Sequence, residues 1–123
     1  MQTRSYGSVK VAYLDRKAVL AAVHRGVRNL ARRRSEVLRV LLFGSMARGD
    51  AVPGSDVDLL VVLTRHDKGF MERIPEYRLK GIPIGVDVFP YTEQELAKML
   101  RDGNLFLRAA LKEGIEIFHR RAE

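Results

Sequence analysis

Gly44-Ser45, then ten residues, then Asp56-Val57-Asp58 is the spacing in this chain best suited to chemistry on phosphate. A third carboxylate, Asp87, stands in a later apolar stretch, Gly85-Val86-Asp87-Val88-Phe89. Residues i and i+2 of a strand point to one face, so Asp56 and Asp58 are expected to project together. Two bare carboxylates that close repel each other, and a divalent cation between them removes the penalty. Magnesium suits the pair, because it takes oxygen ligands and binds one or two carboxylates together with substrate phosphates. With Asp87 on a neighbouring strand and on the same face, two ions become possible. Paired ions ~3.5–4 Å apart clamp the entering and leaving oxygens of an in-line displacement.

The Gly-Ser turn supplies the other half of such a site. Gly44 lets the backbone leave a strand tightly and approach a ligand. The N–H groups opening a short helix after it favour an anion, and the Ser45 hydroxyl adds a donor for the β- or γ-phosphate. Arg48, one helical turn on, is a fork of donors for the same triphosphate or, on the plainer reading, half of a surface ion pair. No Gly-Lys-Ser/Thr ending follows, so this is not a Walker A loop.

These groups need elements to hold them. Val37 to Phe43 is an apolar, β-rich run ending at Gly44 and reads as a buried strand. Ser45 to Arg48 reads as a short helix stopped by Gly49, and Pro53-Gly54 as a turn. Asp56 to Thr64 is a second core strand whose unbroken apolar stretch implies cover on both faces. Ile82 to Phe89 is predicted as a third, with Pro83 marking an edge or a strand start. Upstream, Ser8 to Tyr13 alternates like a short strand. Asp15 is placed to cap an amphipathic helix from Arg16 to about Arg34, which Gly26 weakens slightly. Asp67 to Lys80 is ambiguous, helical in part but interrupted by Pro75. Thr92-Glu93-Gln94-Glu95 is a capping box opening a helix to about Leu100. Leu105 to Lys112 reads as another helix and Ile115 to Phe118 as a last short strand. The tail Arg120-Arg121-Ala122-Glu123 is expected to fray. The order predicts one α/β (α+β) domain over residues 1–123, a small mixed sheet flanked by helices.

Composition narrows the function classes. The chain has 123 residues, 46% hydrophobic and 30% charged, which fits one folded domain. It has no apolar run near the ~20 residues of a membrane span, and no secretory leader is expected. With no cysteine, disulfides, thiolate metal sites and a cysteine nucleophile are excluded, and a cytoplasmic location is expected. The net charge of +7 favours anionic partners. The run Arg32-Arg33-Arg34 is read first as a solvated helix end, with a nucleic-acid or acidic-partner patch as the alternative. His24, His66 and His119 show no ligand spacing. Tyr77, Tyr91 and the Leu105-Phe106-Leu107 run are expected mainly in packing, with either tyrosine as a nucleotide acceptor and the run as an exposed apolar patch for a dimer or partner as the alternatives.

Phe43-Gly44-Ser45-Met46-Ala47-Arg48-Gly49 through Ser55-Asp56-Val57-Asp58-Leu59-Leu60-Val61 resembles the signature of the DNA polymerase β-like nucleotidyltransferase superfamily. The short length resembles its minimal branch, which includes antitoxins that partner HEPN-domain toxins. The resemblance runs from about Val37 to Phe89 and more loosely to Leu111-Lys112-Glu113-Gly114. It implies the nucleotidyltransferase fold, with Gly44 and Ser45 holding the nucleoside triphosphate and Asp56 and Asp58 binding metal. It also implies that Asp87 completes the metal site and helps deprotonate an acceptor hydroxyl. Larger members append a helical domain that is not seen in this sequence. The expected activity is Mg²⁺-dependent transfer of a nucleoside monophosphate, AMP from ATP, to an acceptor hydroxyl on a partner protein such as a HEPN toxin. The alternatives are a small-molecule nucleotidyltransferase of the aminoglycoside-modifying kind and a non-enzymatic antitoxin acting by contact. The expected partner is a HEPN-like toxin or a second copy of the chain in a homo-oligomer.

Overall fold

The structure is a computed structural model that describes residues 15–121 in full and the backbone of residues 3–6 and 9–12. Strands β1 (Thr3–Tyr6) and β2 (Val9–Ala12) form an antiparallel pair. The expected strand from Ser8 to Tyr13 is thus met by β2 within the described residues, while Ser8 and Tyr13 lie outside them.

Helix α1 (Arg16–Arg33) starts where Asp15 accepts the Ala18 N–H at 3.0 Å and ends with the Arg34 N–H on the Leu30 carbonyl. Gly26 has a packing reason that outweighs its low helix propensity. A side chain there would press Leu79 and Ile82 at 3.3–3.4 Å, so the glycine lets the 79–82 segment lie against the helix.

Strand β3 (Val37–Phe43), helix α2 (Ser45–Arg48) and strand β4 (Val57–Leu63) follow as the sequence predicts. Helix α3 (Phe70–Arg73) and a 3₁₀ turn (Ile74–Tyr77) resolve the ambiguous segment. Pro75 removes a backbone donor and the chain tightens into a 3₁₀ turn around it. Strand β5 (Val86–Thr92), helices α4 (Glu93–Arg101) and α5 (Leu105–Glu113), and strand β6 (Ile115–His119) complete the chain. The third core strand therefore starts four residues later than predicted and runs through Pro90. β5 is an edge strand, where a residue without an N–H is tolerated.

The four-stranded sheet has the order β5-β4-β3-β6. β3 is antiparallel to both β4 and β6, while β4 and β5 are parallel, so the sheet is mixed. Each face is covered. On one side Val19, Val23, Val27 and Leu30 of α1 pack with Val40, Leu42, Leu59, Val61 and Leu63. On the other, Leu96 of α4 and Leu107 and Ala110 of α5 pack on Leu41, Phe43, Leu60 and Val62. Full burial of one such side chain is worth about 1.5–3 kcal/mol, and both faces of β4 contribute, as its continuous apolar run requires.

Two expectations about exposure are corrected. Of the run read as packing, Leu107 is buried, but Leu105 is 79% and Phe106 43% exposed. The tail does not fray at Arg120. Its N–H donates to Leu38 O at 2.7 Å, and its guanidinium donates to Val37 O and Ala31 O at 3.0 and 2.7 Å. Ala122 and Glu123 lie outside the described residues. Tyr77 is fully buried and donates to Glu36 at 2.6 Å, which places it in the core. Tyr91 is half-buried and stacks on Phe70 at 4.6 Å.

Candidate active site

The Gly-Ser turn is built by backbone geometry. Gly44 has φ +76° and ψ −159°, a conformation open essentially to glycine alone. It sends the chain from β3 directly into α2, whose Ala47 and Arg48 N–H groups return to the Gly44 carbonyl at 3.0 Å. Gly49, at φ +85°, ends the helix with its N–H on Ser45 O. The Arg16 guanidinium donates twice to Met46 O, at 3.1 and 2.8 Å, fixing α2 against the start of α1. Val52 to Ser55 forms the next turn, with Gly54 at φ +97° and the Ser55 N–H on Val52 O at 2.9 Å.

That turn delivers Asp56 just ahead of β4 and Asp58 within it. Val57 between them is fully buried, so both aspartates face the opposite way, toward the α4/α5 side. In the parallel pairing Asp58 stands opposite Asp87 and Val57 opposite Val86. Partners in a parallel register share a face, so the structure brings Asp87 beside Asp58 on the same side as Asp56. Phe43, the last residue of β3, is the antiparallel partner of Asp58 and joins the carboxylates to the Gly-Ser turn.

Two glycines make room for the acids. A side chain at Gly44 would collide with Asp58 Oδ2, and one at Gly85 would lie 2.5 Å from Asp56 Oδ1. Each carboxylate therefore rests against bare backbone. Both glycines are visible in the sequence, but the contacts that require them are not.

The electrostatics agree with crowding. Burial raises the pKa of Asp58 above its ordinary value, and the negative charges of Asp87 and Asp56 raise it further, against a smaller opposing effect of Arg48. Among the described residues no group of three or more His, Asp or Glu side chains is already gathered as a metal site.

One residue at the turn was not picked out from the sequence. Glu113, the last residue of α5, accepts the Gly44 N–H at 2.9 Å and pairs with Arg48 Nη1 at 3.1 and 3.3 Å. The Gly44 N–H first, and then Arg48, hold its pKa below the ordinary carboxylate value. Arg48 also donates from Nε to Asp50 at 3.1 Å. The structure thus brings Arg48 to the turn, with two carboxylates already on it. The loose resemblance at Leu111-Lys112-Glu113-Gly114 touches this residue, but its 69-residue separation from Gly44 hides the contact. The histidines stay apart from these groups. His66 pairs with Glu76 at 3.4 Å near the other ends of the strands, while His24 and His119 are exposed.

The domain is thus an α+β sheet with aspartates gathered at the start of two adjacent parallel strands and bordered by a Gly-Ser turn. The nucleotidyltransferase domain model matches residues 24–115, and the chain belongs to that family. Its structure is similar to a crystal structure provisionally described as a nucleotidyltransferase from Sulfolobus solfataricus, with a TM-score of 0.61. The two share 24% identity over 85% of this chain and 84% of that one, a likeness of fold. No curated protein sequence matches the chain. Among the described residues no helix is long and apolar enough to cross a membrane.

Proposed function

We propose that this chain is a single catalytic domain, residues 1–123, that transfers a nucleoside monophosphate from a nucleoside triphosphate, ATP in the first instance, to an acceptor hydroxyl. The observation that carries the reading is the register pairing of Asp58 with Asp87, next to Asp56 and one strand from the Gly44-Ser45 turn. The donor set fits magnesium. All three acids are hard oxygen ligands and their mutual repulsion is felt at Asp58, and magnesium binds one or two carboxylates together with substrate phosphates and water. Asp56, Asp58 and Asp87 would hold the metal, which when bound neutralises charge on the phosphates.

The chain's own residues then position. Ser45 and the backbone of the Gly44 turn hold the β- and γ-phosphates, with Arg48 at the lip. The acceptor oxygen attacks the α-phosphorus, the α–β bridge breaks, pyrophosphate leaves, and Asp87 takes the hydroxyl proton. Catalysis of this kind is mostly alignment and charge stabilisation.

A protein acceptor, as in antitoxins of the HEPN-partnering kind, is favoured by what borders the acids. Phe89 lies two residues beyond Asp87 on the same face. It packs with Phe43 and with the half-exposed Phe106 at centroid distances of 5.4 and 5.5 Å. Exposed Leu105 extends this apolar rim, and a partner surface can cover it. Labelled ATP, Mg²⁺ and host lysate test the reading. Label on one protein band is expected. Label on a small molecule points to the aminoglycoside-type alternative, and no label with the wild type sinks the enzyme.

A further inference from the structure

The excess positive charge of this chain is confined to its first part. Residues 1–34 hold nine lysines and arginines and a single carboxylate, Asp15, a net of +8. Residues 35–123 hold 13 cations and 14 carboxylates, a net of −1. Most of the excess lies on α1, which carries six cations and no acid over its 18 residues. Arg16 is turned onto α2. The other five, Lys17, Arg25, Arg28, Arg32 and Arg33, are exposed. Among the described residues no ion pair reaches any of them. Among the described residues Arg32 donates to Asn29, at 3.3 Å, and Arg33 to the Arg78 carbonyl, at 3.4 Å.

An ordinary solvated helix face intersperses acids to recover i,i+4 pairs. Here Arg25, Arg28 and Arg32 recur at spacings of three and four, so like charges face each other along a stripe. The helix is about 27 Å long at 1.5 Å per residue. An extended anion laid along it would relieve the repulsion.

We propose that the exposed face of α1, with the adjoining end of β6, binds the phosphodiester backbone of a nucleic acid strand. Four of the five cations are arginines, whose planar fork matches a phosphate better than an ammonium does. A cavity of about 240 Å³ lies beside the stripe, lined by Arg28, Ala31, Arg32, Phe118 and Arg120. The Arg120 guanidinium carbon stands 5.3 Å from the centroid of the Phe118 ring. An aromatic ring among guanidinium planes next to a basic track is the surface on which unpaired bases stack. A lipid surface fits less well, because the apolar residues of α1 are buried in the core and leave nothing to insert. α1 covers the sheet face opposite the aspartates, so binding there is separate from nucleotide transfer.

The test is fluorescence anisotropy with labelled single-stranded RNA and DNA of ~20 nucleotides, with labelled polyglutamate and phosphatidylserine vesicles as rival anions. If about four phosphates are neutralised, affinity for a single strand falls about 50-fold between 50 and 200 mM salt. Arg25→Glu/Arg28→Glu/Arg32→Glu is expected to lose more than about tenfold. The milder triple change to Gln should lose less, and Arg65→Glu/Arg101→Glu/Arg108→Glu should stay near wild type. Tighter binding of RNA or of DNA supports the surface and names the polymer. Asp58→Asn should bind as wild type, so failure here and failure of the transferase reading are told apart. A nearly flat salt response, equal loss in the control triple, or equal binding of polyglutamate or vesicles would overturn the proposal.

Discussion

Asp58 is a carboxylate whose surroundings disfavour its charged form. Its folded pKa lies above the unfolded one through burial and through Asp87 and Asp56. Stability therefore falls as pH rises through that window, where the folded chain holds the proton longer. Asp58→Asn is expected to leave the metal-free melting temperature at neutral pH unchanged or higher. It should also cut pyrophosphate release by about 10²-fold or more. Calorimetry and a pyrophosphate assay read the two effects, and a destabilised but fully active variant would refute the role. Glu113 makes a second test at this scale. If it positions the turn, Glu113→Ala weakens binding of a non-hydrolysable ATP analogue about tenfold. Glu113→Gln, which can still accept the Gly44 N–H, should recover part of that loss. Tighter binding in the alanine variant would mean instead that the carboxylate competes with phosphate for the same donor.

At the scale of elements, the end of β5 and the start of α4 are fastened together by one network. Thr92 and Glu95 form the reciprocal cap foreseen from their spacing, at 2.8 and 3.2 Å. Glu95 also holds the buried Arg73 at 2.7 and 3.0 Å, and Arg73 donates to Lys68 O and Pro90 O. Arg73 first, then the cap, keep the pKa of Glu95 below its ordinary value. Its contribution to stability is thus complete above about pH 4.5 and is lost as pH falls through the lowered pKa. Glu95→Gln should be less stable at neutral pH and show a flatter acid limb in melts across pH. An acid limb like that of the wild type would exclude the ion pair as its source. The cap was legible because both its halves lie within four residues. The role of Arg73 was not, since its partners lie in the loop before α3, in β5 and in α4. For the same reason β5 was placed too early. Ile82 and Ile84 look like strand residues, but they serve the α1 face and β-pairing begins only at Val86.

Across the whole molecule, Asp58 and Asp87 and the cations of α1 lie on opposite sides of one sheet. Divalent ion binding should therefore register as stability in an otherwise unchanged fold. Mg²⁺ or Mn²⁺ at about 100 times its dissociation constant adds about 2.7 kcal/mol. A clear upward shift in melting temperature is expected for the wild type and little for Asp58→Asn. Equal shifts in both would place the ion elsewhere.

The amino-acid order alone determined the Gly-Ser turn, the doublet of aspartates, the core strands β3 and β4, the amphipathic α1 and the charge asymmetry. Each of these is local, written in spacing, period and count. Only the tertiary structure decided that β5 runs parallel to β4 with Asp87 opposite Asp58, and that Glu113 closes on Gly44. Strand order and register are chosen by how two sheet faces bury their side chains together, and no window of neighbouring residues contains that information.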